Sequence, residues 1–254
     1  MHKAQQYIDS FIYPGVRTNL SLLLNPISAT KAFSLDVCIK SDGADYIYSA
    51  AISVGEAIRG LCNGLTSWAT VKLYYATFYS LRAILAFDGT CIFYIGRKPY
   101  SLAALAGSVP KKNEGTTHKV VIKVFKNLNI EPRLLSQQID LQCPLEWLME
   151  NRERANYKFS RFIEPMIPNC FEIILSKGIR RSLHEYLIDT SMMHAFDPDH
   201  AMVAYPLTTL RIACKRFVES GIGGLQFKEK SLLRSLFQDN SGPLSELIRL
   251  FDDL

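Results

Sequence analysis

Apolar positions recur at helical spacing along most of the chain, and few stretches alternate as a half-buried strand would. Small and apolar residues between Gly43 and Gly64 (ADYIYSAAISVGEAIRGLCN) repeat every three to four positions and end on glycine, which predicts a helix. The segment SWATVKLYYATFYSLRAILAFDG, from Ser67, is apolar on nearly every face, with Trp68, Tyr74, Tyr75, Phe78 and Tyr79 distributed around it. A helix of that kind belongs in the middle of a bundle, not on its surface. Thr66 or Ser67 is its predicted cap.

The pattern then changes. CIFYIGRKPY is a short β-branched and aromatic run bounded by Gly89 and Gly96, which predicts one small strand or hairpin arm, too isolated to found a sheet. After the loop GSVPKKNEGTT, Thr116 or Thr117 is placed to cap a helix whose Val121, Val124, Phe125 and Leu128 form an apolar stripe, with Lys119, Lys123 and Lys126 on the opposite face. Pro132 suits the start of a helix LLSQQIDL, and Pro144 the first turn of another, LEWLMENRERANYKF, with Leu145, Leu148 and Met149 on its buried side. FIEPMIPNC, with two prolines, reads as a hinge. Beyond it helices are expected from Arg180 to Phe196, from Asp199 to about Val218 and from Leu244 to the end, with a kink at Pro206.

These elements predict an all-α chain. It divides into an N-terminal segment (1–43) packed on a helical core (44–163), followed by a C-terminal helical extension (164–254) expected to form one compact unit with the core. At 254 residues and 48% hydrophobic content it can bury a sizeable core, and its net charge of +5 permits contact with nucleic acid or an acidic partner without demanding it. The six cysteines are scattered singly, with no CxxC, and read as reduced core thiols. MHKAQQYIDSFIYPG lacks the apolar run and cleavage site of a signal peptide, so a cytoplasmic protein is expected. Lys72 and Arg82 interrupt the only stretch of membrane-spanning length, and a charge at the bilayer centre costs about 3 kcal/mol, so no membrane partner is expected.

The chain has no P-loop, dinucleotide fingerprint or nucleophile elbow, which leaves the small-molecule enzyme classes without a foothold. His194 and His200 flank FDPD, but their spacing with Asp197 and Asp199 matches no ligand pattern, and neither metal nor cofactor is expected. The densest polar cluster is ENRERANYK, from Glu150. It has two readings. In one, it is the solvated end of a helix, with Glu150 and Arg154 as an i,i+4 pair and the Tyr157 ring against the bundle. In the other, Arg152 and Arg154 hold a phosphate, since guanidinium forks match phosphate oxygens. Helical geometry sets Arg152 nearer Asn156 than Tyr157. The stripe Lys119, Lys123 and Lys126 likewise reads either as solvated surface or as a phosphate-tracking face, and Arg211, Lys215 and Arg216 invite the same two readings.

The order YYATFYSLRAILAFDG, then THKVVIKVF, then a helix ending L-x-x-x-R-E-R-A-N-Y, from about Thr66 to Phe159, resembles the HEPN superfamily of helical-bundle proteins. The region around DHAMVAYPLTTL is similar to its bacterial YaaC-like branch. The resemblance implies a four-to-five-helix bundle that dimerises so that two copies of a polar motif face each other. In active members that motif is an arginine, usually followed by a polar residue, with a histidine five to seven positions later, and it cleaves RNA without metal. Many such proteins are toxins or antiphage defence components.

Arg152 and Glu153 match the arginine and its polar neighbour, but Tyr157 stands at the fifth position and no histidine lies within the spacing. Internal attack on RNA needs groups that exchange protons near neutrality; tyrosine, with a pKa near ~10, is deprotonated about one part in a thousand at pH 7. His118 is the only histidine of the family-like core, and it reads either as a structural helix-start imidazole or as a proton carrier. Two functions are therefore expected to compete. One is a non-catalytic or weakened interaction subunit of a bacterial defence or toxin-type assembly, which dimerises or docks on partner proteins. The other is a metal-independent endoribonuclease in which Arg152 stabilises the phosphorane, Tyr157 or His118 handles protons, and Arg154, Asn156 and the lysine stripe position RNA.

Overall fold

The structure, a computed structural model, describes residues 2–15, 23–158 and 160–252. Phe159 and residues 253–254, the predicted ends of two helices, lie outside the described residues, as do residues 16–22 of the N-terminal segment. The fold is mainly helical. The helix predicted from Gly43 begins at Ala29 instead: α2 (Ala29–Cys62), capped by the Ser28 hydroxyl accepting from the Lys31 N–H, runs unbroken for 34 residues, about 50 Å. Gly43 serves packing, since a Cβ there would stand 2.9 Å from the Phe87 ring. In front of α2, α1 (Lys3–Tyr7) passes into a π-helical turn (Ile8–Ile12) and is held by buried Asp42, whose carboxylate accepts from the N–H groups of Lys3 and Ala4 at 2.7 and 3.0 Å.

A three-residue connection returns the chain along α2 as α3 (Thr66–Phe87), the predicted central helix, which packs against α2 and, further on, against α4 (Thr117–Leu128), α5 (Pro144–Glu153) and α9 (Pro198–Glu219). Neither Thr66 nor Ser67 caps it by its own side chain. The carboxylate of Glu164 does so from a distant loop, accepting from the Ser67 N–H at 2.6 Å and its hydroxyl at 2.7 Å. Trp68 faces outward, an exception to the buried aromatic pattern.

CIFYIGRKPY founds a sheet after all. β1 (Thr90–Ile95) and β2 (Lys98–Ala103) form an antiparallel hairpin, and β3 (Lys111–Lys112) pairs with the far edge of β2. Its two-residue turn starts on Gly96 at φ +61°, the positive φ that such tight turns need. The sheet closes a second apolar cluster with α1, the front of α2 and Ala86.

In α4 the stripe is Val120, Val121, Val124 and Phe125; Leu128 is exposed. LLSQQIDL does not form a helix, because only Pro132–Leu135 makes a 3-10 turn before a bridge joins Ile139 to Gln142. The helix predicted from Arg180 to Phe196 divides into α7 (Ile179–Ile188) and α8 (Met193–Phe196), since the Asp189 carboxylate draws the N–H groups of Ser191, Met192 and His194 into a tight turn. α6 (Asn169–Lys177) precedes them. α9 continues through Pro206 as one helix. Then come α10 (Phe227–Leu236), absent from the sequence reading, the paired β4 (Gln238–Asp239) and β5 (Gly242–Pro243), and α11 (Ser245–Arg249). One apolar cluster unites α2 to α7 with α9, α10 and α11. No described helix is long and apolar enough to cross a membrane.

Candidate functional site: an arginine between tyrosines

Arg152 is only 8% exposed and belongs to the inner face of α5 with Leu145 and Leu148. Its guanidinium carbon lies 4.9 Å from the ring centre of Tyr74 on α3 and 5.7 Å from that of Tyr157. After Glu153 the helix changes to a π-helical turn, Arg154–Lys158, in which the i,i+5 spacing replaces i,i+4. That change of period corrects the expectation for Asn156: it is Tyr157, five residues on, whose ring comes over Arg152. Tyr157 itself is 71% exposed, so its ring is not packed into the bundle. No carboxylate pairs with Arg152 among the described residues, and its buried Nε has no hydrogen-bond partner.

His118, in the first turn of α4, reaches the same point from the other side. Its Nδ1 is 2.9 Å from the Tyr74 hydroxyl, and its ring centre is 4.4 Å from that of Phe78. Burial, then the charges of Arg152 and Arg82, push the His118 pKa below its usual value. Burial likewise pushes Tyr74 up to about 12, against the opposing charge of Arg152. Both groups are therefore neutral at pH 7. The Tyr74 hydroxyl and the His118 Nδ1 share that hydrogen bond, with the donor set by the imidazole tautomer. The cationic series continues along α3 to Arg82, whose guanidinium is 5.9 Å from the Phe78 ring and 4.1 Å from the Tyr46 ring. Tyr74, Phe78 and Arg82 are spaced i, i+4, i+8. They were legible as core, and the polar tip of Tyr74 on the same stripe as Arg82 was the available sign of a site.

The other candidates are dispersed. Glu153 is exposed beside the site, and its charge acts on Tyr74 and His118. Arg154, the first residue of the π turn, lines a separate cleft and does not pair with Glu150, which accepts from Gln142 at 3.4 Å. Asn156 is half-buried. Lys119 and Lys123 are exposed on α4, while Lys126 is held by Glu146 at 2.9 Å. Arg211 donates to the backbone oxygens of Leu187 and Asp189, and Arg216 to Ile130 O and Glu131, so both are structural clamps; Lys215 stays on the surface.

His194 pairs with Asp189 at 2.9 Å and His200 with the Tyr186 hydroxyl at 2.7 Å; among the described residues no group of three or more His, Cys, Asp or Glu is placed to hold a metal ion. All six cysteines are free. The segment after the π turn exposes Phe162, Ile163, Met166 and Ile167, with Trp68 edge-on to Phe162 at 5.8 Å. Comparison with protein-family models, curated proteins and solved structures yields no match to this chain.

Proposed function

We propose that this chain is a HEPN-like subunit with weakened or absent ribonuclease chemistry, which docks on partner proteins or a second copy and retains a phosphate-binding arginine. The observation that carries this reading is the group set over Arg152: the π turn delivers a phenol there, and the one imidazole nearby has its Nδ1 engaged by Tyr74. The Nε of this nearly buried guanidinium has no hydrogen-bond partner, a costly arrangement for folding alone, and a bound phosphate would offset it. The run of exposed apolar side chains at Phe162, Ile163, Met166 and Ile167 supports protein docking, because clustered exposed apolar side chains mark interaction surfaces. The defence or toxin setting is what the resemblance adds.

The test is incubation of the purified protein with labelled tRNA in EDTA, alongside Arg152→Ala and Tyr157→Phe. Expected are salt-sensitive RNA retention that weakens in Arg152→Ala, and no discrete cleavage. Discrete cleavage requiring both Arg152 and Tyr157 would replace this reading with the second one, a metal-independent endoribonuclease. One observation favours that alternative: with no carboxylate partner, Arg152 keeps its full charge for a phosphorane.

A further inference from the structure

The sheet and the start of α4 carry cations that the fold does not use. The β1–β2 hairpin turns through Arg97 and Lys98, β3 consists of Lys111 and Lys112, and Lys119 and Lys123 follow one turn apart on α4; all are exposed. The register draws them together, since β3 pairs with Tyr100 and Ser101, two and three residues past Lys98 on β2. Gly115, three residues past Lys112, packs against α4: a Cβ there would stand 3.5 Å from the Lys119 Cβ. Among the described residues the one ion pair any of these cations makes is Lys112 with Glu114, at 3.9 Å. Two aliphatic side chains extend the surface along the loop into β3, Leu105 at 67% exposure and Val109 at 49%.

Lysines on an edge strand have a use of their own, because charge there blocks pairing with another chain. That accounts for Lys111 and Lys112 and leaves Arg97, Lys98, Lys119 and Lys123 unexplained. Like charges gathered on one surface repel, and a partner bearing carboxylates would offset them. We propose that this strip docks an acidic, partly aliphatic segment of a partner protein, with its carboxylates on the lysines and its apolar side chains on Leu105 and Val109. All the cations but Arg97 are lysines, hydrated point charges that pair with scattered carboxylates, whereas phosphate recognition favours arginine forks. Phe93 and Tyr100 are buried and the Tyr94 hydroxyl is held by Thr117 at 2.7 Å, so the strip offers no exposed ring on which a base could stack. β3 is also the edge of its sheet, where an extended partner can lie alongside. The proposal rests on the docking half of the reading above and needs nothing from Arg152.

Fluorescence anisotropy of the full chain with a labelled peptide of about twelve residues, alternating Glu and Val, tests it. Saturation is expected at about 10–100 μM in low salt, with binding at least about tenfold weaker near 0.5 M salt. Lys111→Glu with Lys112→Glu, and separately Lys98→Glu with Lys119→Glu, should each weaken the peptide about tenfold or more. Lys215→Glu with Lys228→Glu, the same change in net charge placed on α9 and α10, should leave it within about twofold. Leu105→Ser with Val109→Ser should weaken it about threefold, which separates apolar contact from charge. All these side chains are exposed, so the variants should keep the wild-type melting temperature. The proposal is overturned by absence of saturation up to about 1 mM, or by the α9 and α10 variant weakening the peptide as much as the strip variants do. It is also overturned if oligouridylate of equal length, or phosphatidylserine vesicles, displace the peptide at a lower charge concentration than the unlabelled peptide does. The tRNA assay of Arg152→Ala reads the arginine site separately, so failure of one reading is distinguishable from failure of the other.

Discussion

At Arg152 a single guanidinium adds to the effect of burial on His118 and opposes it on Tyr74. Burial lowers the His118 pKa first, and Arg152 is the largest charge acting in the same direction. Replacing Arg152 with Ala removes that charge and admits water, so the His118 pKa should rise toward the unperturbed ~6.5. Imidazole proton NMR across the titration reads it directly, and an unmoved pKa would mean that the charge does not reach the ring. The same sign extends to stability. His2, His118 and His200 are all lowered, chiefly by burial. Between those lowered values and ~6.5 the unfolded chain binds more protons than the folded one, so stability rises with pH through that window and is lost as pH falls through it. The melting temperature should therefore drop between about pH 7 and about pH 5.5, before carboxylates titrate; a flat profile there would show that these rings gain no net burial. Arg152, Tyr157 and His118 were legible from residue type and order. Tyr74 was read as core: its place on one stripe with Arg82 was a sign of polarity, but nothing local shows that its hydroxyl meets a histidine 44 positions away.

Helices were readable by period, whereas their ends were set by partners far away in sequence. α3 begins where Glu164 accepts from Ser67, 97 residues apart, and a local search for a cap stops at Thr66 or Ser67. Burial pushes the Glu164 carboxyl up, but the Ser67 N–H and hydroxyl outweigh it and hold its pKa below the usual range. Glu164→Ala should then cost about 1–2 kcal/mol in denaturant unfolding, as a lost cap does, and Glu164→Gln less. An unchanged midpoint would assign α3 to tertiary packing alone. Glycine posed the opposite problem. Gly43 reads as a helix boundary in sequence yet lies inside α2, as Gly55 does, and both admit neighbours: a Cβ on Gly55 would stand 2.9 Å from Leu236 Cβ on α10. Gly55→Ala gains helix propensity but forces α10 away, and a net destabilisation of about 1–3 kcal/mol is expected from overpacking. Stabilisation instead would show that α10 shifts without loss. The π turn after Glu153 belongs at this scale too, since no composition signal marks a change of period, and that change decides which residue faces Arg152.

Across the whole molecule, the prolines of FIEPMIPNC permitted either a hinged second unit or a continuous body, and composition alone could not choose. The packing supplies the physical criterion. Phe171, Tyr205, Phe217 and Phe237 from beyond the hinge are fully buried in the same apolar cluster as Ile47, Ile58 and Phe125 before it. Tyr205 donates its hydroxyl to Leu134 O at 2.7 Å, and Arg216 clamps Ile130 O and Glu131, so the residues past the hinge satisfy polar groups of the core as well as covering it. Burying such aromatic side chains contributes about 1.5–3 kcal/mol each, against a typical total stability of about 5–15 kcal/mol. A chain ending at residue 163 loses α9 from the side of α3, together with the Glu164 cap, and should lack a cooperative unfolding transition. Calorimetry of the full chain should correspondingly show one peak whose calorimetric and van't Hoff enthalpies agree. Two separate peaks, or a folded fragment 1–163, would mean that the α3 face closes without α9, and that the Arg152 site can be studied apart from the C-terminal helices.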